Sequence, residues 1–171
     1  MADPTEITGE PAHVTRERVI RLGFGGDHER YEQFLDALRE VIPPDVCVIV
    51  RGSAVTGQRW ADGAPFDADG PGTSDLDLTF VGGGMVRFFD SFYIPGLHSV
   101  PLGEDHPDAS PTFAPLRRAL CKIAGRPVNI QATADLVQYV RDVTMNQPYC
   151  VIIDRHAEDE GEHADAAAPE R

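Results

Sequence analysis

The chain has 171 residues, 42% of them hydrophobic, enough for one domain with a real core and too many for a chain disordered throughout. Lys and Arg total 15 against 28 acidic residues, a net charge of −13, and such a balance lacks the footprint of a general nucleic-acid binder, whose affinity comes mostly from neutralised phosphates. No stretch approaches the roughly 18 uninterrupted apolar residues of a membrane span, and Met1 to Pro11 carries acids and no base ahead of any apolar run, unlike a secretory signal. The expected location is cytoplasmic, with no membrane partner. Cys47, Cys121 and Cys150 are odd in number and show no CxxC spacing, so buried free thiols are expected in place of disulfides or a zinc site.

Acids concentrate at the C-terminal end, and both ends are polar, with too little apolar surface to offset the entropy of ordering. The reading is a flexible segment over 1–15, one folded domain over 16–154 and a flexible acidic tail over 155–171. Within the domain, Asp27 is placed to cap a helix whose Tyr31, Phe34, Leu35, Leu38, Val41 and Ile42 recur at helical spacing until Pro43 and Pro44 stop it. Val46 to Val50 is a β-branched run without polar alternation, as in a strand covered on both faces. Gln58 to Thr73, rich in Gly, Pro and Asp, reads as a long inserted loop.

Leu76, Leu78 and Phe80 alternate with Asp75, Asp77 and Thr79, which in a strand puts the apolar set on one face and both carboxylates on the other. Ser110 and Pro111 suit the start of a helix bearing Phe113, Leu116, Leu120 and Ile123, and Gly125 stands where a left-handed residue ends it. Val128 to Thr133 alternates again, with Asn129 and Gln131 opposite the apolar set. Asp135 is placed to cap a helix carrying Leu136, Val137, Tyr139, Val140 and Val143, and Tyr149 to Ile153 forms a last strand. The expected architecture is α/β or α+β, a small mixed sheet with helices packed against it.

Two segments carry the chemistry, VIVRGSAVTG at 48–57 and SDLDLTF at 74–80. A strand that ends in Gly-Ser and turns into a helix presents backbone N–H groups and a hydroxyl suited to a phosphate, and Gly52 allows close approach. Asp75 and Asp77, two apart on one strand face, set hard oxygen ligands side by side, as magnesium requires. Asp is disfavoured in strands, so a purely structural role for both is the weaker account.

This order of motifs resembles the DNA polymerase β-like nucleotidyltransferase superfamily over about residues 27–153. A finer likeness is to the small nucleotidyltransferase domains of bacterial polymorphic toxins, carried by RGSAVTG, by Gly63, Pro65, Phe66 and Asp67, by the SDLD strand, and by Gly125 to Asn129. The resemblance implies a nucleotidyltransferase fold and a magnesium- or manganese-dependent transfer of a nucleoside monophosphate from a nucleoside triphosphate to an acceptor hydroxyl, with pyrophosphate leaving. Candidate acceptors are a transfer-RNA 3′ end, a protein side chain and a small molecule such as an aminoglycoside. By position, Gly52 and Ser53, with Arg51 and Thr56, would contact the nucleotide, and Asp75, Asp77 and Asn129 the metal.

Many active members of the superfamily carry a third carboxylate where Asn129 stands, and an amide cannot act as a carboxylate base. Either the insert supplies the base through Asp67 or Asp69, or metal-bound water and substrate suffice, or the domain is a non-catalytic nucleotide-binding regulator or antitoxin-like partner, engaging another protein through its acidic tail. The insert is expected to fold over the nucleotide as a lid, anchored by Phe66 or Trp60, with Asp67 or Asp69 turned toward the metals. Trp60 is expected to pack under the insert more than to stack on a base. Arg51 either meets a phosphate or pairs with a neighbouring carboxylate. Arg117, Arg118 and Lys122 read as a solvated helix face, His98 and His106 as ordinary surface residues, and Gly23, Gly25 and Gly26 lack the flanking pattern of a phosphate loop.

Overall fold

In the computed structural model, which describes residues 10–92 and 94–154, the folded domain starts earlier than its sequence suggests. Helix α1 spans Ala12–Gly23 and buries Thr15, Val19 and Ile20. Its apolar stripe is too short to stand out among the charges around it. Ion pairing holds its first turns: Arg18 donates to Glu10 at 2.7 Å and to the Val55 carbonyl at 2.9 Å. The acidic tail over 155–171 and residues 1–9 of the expected flexible segment lie outside the described residues.

Helix α2, His28–Val41, is capped as expected, Asp27 Oδ1 accepting from the Arg30 amide at 2.9 Å. Tyr31, Phe34, Leu35, Leu38 and Ile42 are buried, but Val41 is 48% exposed. At 100° per residue it lies roughly 70° off the centre of the buried stripe, while Ile42 falls close to it.

Four strands follow the alternation of their sequences: β1 Cys47–Arg51, β2 Leu76–Val81, β3 Val128–Thr133 and β4 Tyr149–Ile153. They form one mixed sheet in the order β3-β2-β1-β4, with β1 antiparallel to both neighbours and β2 parallel to β3. On one face, Val48, Val50, Leu76, Leu78, Phe80, Val128, Ile130 and Ala132 join the large core with α1, α2 and helix α4, Ala114–Ala124. On the other, Ile49 and Tyr149 pack with Leu136, Tyr139 and Val140 of helix α5, Leu136–Asp142. Apolar residues on both sides of β1 explain why its sequence does not alternate. The fold is mixed α+β, with helices packed on a four-stranded mixed sheet.

Helix α4 begins later than the Ser110–Pro111 pair suggests. The Ser110 hydroxyl donates to the Phe88 carbonyl at 2.6 Å, and Pro115 takes the first-turn position. Gly125 closes the helix at φ 69°, the left-handed conformation expected of it. Asp135 caps α5 through the Gln138 amide at 3.0 Å, and Val137, expected on its apolar side, is 65% exposed.

Residues 97–102 lie along the outer side of β3. Ser99 N donates to Ala132 O at 3.1 Å, and Leu102 exchanges backbone hydrogen bonds with Ile130 at 2.7 and 3.0 Å. His98 is therefore fully buried instead of at the surface, its Nδ1 3.1 Å from Thr133 Oγ1, and burial holds its pKa below the ordinary value. His106 is exposed. Among the described residues, no helix is long and apolar enough to cross a membrane.

Candidate functional site

The sheet register places three polar side chains abreast. Arg51 of β1 pairs with Asp77 of β2, and Asp77 pairs with Asn129 of β3. All three lie on the face away from the large core, because Leu76, Leu78, Val128 and Ile130 occupy the alternate positions. Asp75 joins them from the residue before β2. Asn129 Nδ2 donates to Asp75 Oδ2 at 2.6 Å and to Asp77 Oδ1 at 3.1 Å, so one amide bridges both carboxylates.

Burial, and then the charge of Asp77, push the Asp75 carboxyl above its ordinary value, more than its hydrogen bonds and the Arg51 charge pull it down. Two partly buried carboxylates that repel each other, beside an amide whose oxygen is a hard donor, form a ligand set suited to a divalent cation. Among the described residues, no group of three or more His, Cys, Asp or Glu side chains is placed to hold a metal ion.

Arg51 lies beside this pair without forking onto it. Its Nη1 is 3.8 Å from Asp77 Oδ2, its Nη2 is 3.4 Å from Gln131 Oε1, and its buried Nε has no hydrogen-bond partner. The guanidinium is backed by a buried polar chain: Tyr139 OH donates to Gln131 Oε1 at 2.8 Å, Thr79 Oγ1 to Tyr139 OH at 3.0 Å, and Gln131 Nε2 to Ser99 O at 2.6 Å. Gln131 and Tyr139 therefore orient Arg51, a role their sequence positions do not announce. The polar alternation of Asn129 and Gln131 was the one hint.

The turn after β1 leads into helix α3, Ser53–Thr56. Gly52 sits at φ 78°, ψ −153°, and a Cβ there would stand 2.8 Å from Asp77 Oδ2. Glycine is required twice over, for the backbone conformation and for the approach of Asp77. Gly52→Ala is expected to cost about 1–3 kcal/mol of stability and, by displacing Asp77, to depress any activity of the site more than stability alone predicts. A thermal melt alongside a transfer assay checks it, and full activity in the variant would show that Asp77 moves freely.

Arg51, Gly52, Ser53, Asp75 and Asp77 line a cleft of about 440 Å³ together with Arg59, Trp60 and Ala61 of the insert and Val143 to Met145 and Gln147 beyond α5. A smaller cavity of about 260 Å³ shares Arg51 and Asp77 with it, and is lined further by Asn129, Gly103, Glu104, Asp105 and His106. Thr56 reaches neither. Its hydroxyl is engaged with the Gln58 and Gly52 carbonyls at 2.7 and 3.3 Å, a turn-forming role in place of the expected nucleotide contact.

The insert departs from expectation in its acids. Asp67, at φ 59°, is gripped by both Nη atoms of Arg126 at 2.9 and 3.1 Å and by the amides of Ser74 and Gly72 at 2.9 and 3.1 Å. Burial pushes its carboxyl up, but Arg126 and the two amides outweigh that and hold it at about 2. An acid so committed is a poor base at neutral pH, and it lines neither cavity. Asp69 pairs with Arg59, as does Asp62. Phe66 is the insert's anchor, packed on the large core beneath the Arg126 guanidinium. Trp60 is not: it stands 73% exposed in the cleft wall. Arg117 is drawn off the solvated face by a 2.7 Å bond to the Val128 carbonyl, while Arg118 and Lys122 are exposed as expected.

Compared with protein-family models, curated proteins and solved structures, the chain matches none.

Proposed function

We propose that the chain is a metal-dependent nucleotidyltransferase, moving a nucleoside monophosphate from a nucleoside triphosphate to an acceptor hydroxyl. The observation that carries this reading is the Asp75–Asp77 pair on a sheet face, with Asp77 against the Gly52 turn, lining a cleft large enough for a nucleotide. Asp75 and Asp77, with the Asn129 amide turned to present its oxygen, would hold the cation. Bound there, magnesium or manganese supplies charge neutralisation on the triphosphate and on the departing pyrophosphate.

The chain's own residues then position and exclude. Gly52 and Ser53 bring backbone and hydroxyl to the phosphates, and Arg51, held by Gln131, adds a fixed positive charge beside them. The acceptor oxygen forms a bond to the α-phosphorus as the bond to the bridging oxygen of pyrophosphate breaks, and the hydroxyl proton departs to a base. Since Asp67 and Asp69 are spent on arginines, that base comes from the smaller cavity, where Glu104, Asp105 and His106 stand beside Asp77.

A second reading, a nucleotide-binding protein without catalysis, is favoured by Asn129, whose amide satisfies both carboxylates by hydrogen bonding alone. Labelling of a cell extract with each α-labelled nucleoside triphosphate, resolved into RNA, protein and small-molecule fractions, separates the two. Extract-dependent transfer with pyrophosphate release supports the enzyme. Triphosphate binding without release, under magnesium or manganese, supports the regulator.

A further inference from the structure

Trp60 is the chain's one tryptophan, and its 73% exposure is a poor use of the largest apolar side chain. A loosely held loop does not explain that exposure. Arg59 N donates to Ala64 O at 2.8 Å, Gly63 N to Arg59 O at 2.9 Å, and the Arg59 side chain is tied to Asp62 and Asp69, so Trp60 projects from a braced turn. Phe66 already anchors the insert, which leaves Trp60 without a packing task there.

A second segment lining the same cleft presents Met145, 66% exposed. Met145 and Asn146 stand at φ 51° and 60°, two successive non-glycine residues in the left-handed region, held by Asn146 N on Val140 O at 2.8 Å. Such a conformation persists only where its surroundings enforce it, and it recurs at ligand clamps. Here it directs a flexible, polarisable thioether into a cleft that also holds an exposed indole.

We propose that Trp60 and Met145 form the nucleobase subsite of the cleft, with the base stacked on the indole while the phosphates lie at Gly52–Ser53 and Asp75–Asp77. The inference rests on the nucleotide reading of the site and adds the base-binding surface to it. Stacking reads a ring face and not an edge, so the subsite accepts every base and holds purines best through their larger area.

Because Trp60 is the chain's one indole, its fluorescence reports this subsite without background. The full chain with magnesium is titrated with a non-hydrolysable purine nucleoside triphosphate analogue and, separately, with inorganic tripolyphosphate, with calorimetry recording binding of each. The nucleotide is expected to quench Trp60 saturably, and tripolyphosphate to bind without quenching. Trp60→Ala should weaken the nucleotide by about tenfold or more and leave tripolyphosphate unchanged, with Trp60→Phe restoring most of the loss and Met145→Ala losing less. Nucleotide binding without quenching, and with equal affinity in Trp60→Ala, overturns the subsite while leaving the nucleotide reading in place. Failure of both nucleotide and tripolyphosphate to bind overturns the nucleotide reading, and the subsite falls with it.

Discussion

Asp77→Asn is expected to lower nucleotidyl transfer by about 10³-fold or more while leaving the fold in place. A bound cation is worth several kcal/mol to the transition state, and each ~1.4 kcal/mol is a factor of ten in rate. Asp77 sits on the sheet face away from the large core, and the substituted amide oxygen still accepts from Asn129 Nδ2, now 3.1 Å from Asp77 Oδ1. Arg51 keeps Gln131, and Asp75 loses the neighbouring charge that helps hold its carboxyl above the ordinary value. The melting temperature should therefore move little. Pyrophosphate release and label transfer are the readouts, and undiminished transfer in the variant would remove Asp77 from the metal site.

Arg126→Ala is expected to have the largest effect on stability, about 3–5 kcal/mol, which for a domain of this size lowers the melting temperature by about 10 °C. The Arg126 side chain is 8% exposed and donates to both Asp67 oxygens and to the carbonyls of Gly23, Leu22 and Ser74 at 2.8 to 3.2 Å. It joins the end of α1, the insert and the approach to β2, and its removal leaves a partly buried carboxylate without its opposite charge and takes a donor from each of three carbonyls. Arg126→Lys should rescue little, since a single ammonium cannot reproduce the fork.

The same pair sets an acid limit. Asp67 is depressed from 3.8 to about 2 in the folded protein, so its contribution is present above pH ~3.8 and is lost as pH falls toward 2. Acid unfolding followed by circular dichroism should show this loss in the native chain and a smaller one in Arg126→Ala, where only the Ser74 and Gly72 amides still favour the charged carboxylate. Asp67→Asn should likewise lower stability without changing turnover per folded molecule; a hundredfold loss of turnover instead would restore Asp67 as the base. A melting point for Arg126→Ala within about 2 °C of the native value would show that the network is dispensable.

The strands and the carboxylate pair were legible because alternation is local. Leu76, Leu78 and Phe80 against Asp75, Asp77 and Thr79 dictate which face each takes, and Val128 to Thr133 does the same for Asn129. Pairings across long stretches of chain left no such trace. Nothing in the run around Asp67 announces that Arg126, 59 residues on, will claim it. His98 looked like a surface residue in a polar loop, and only the alignment of that loop with β3 buries it. Trp60 and Phe66 are alike in hydrophobicity, and which one anchors the insert is decided by the core surface below it and the Arg126 guanidinium over its ring. The domain's start was misplaced because α1 is held by Arg18 on Glu10 and Val55 as much as by its few apolar residues.

The strip of chain from residue 97 to 102 has a consequence for how molecules of this protein meet one another. A bare strand at the margin of a sheet is a template on which a sister chain adds its own strand, and repetition of that step yields aggregates. At β3 the places a newcomer would need are already taken, by Ser99 on Ala132 and by Leu102 on Ile130. Growth by strand addition is closed on the side where Asn129 stands.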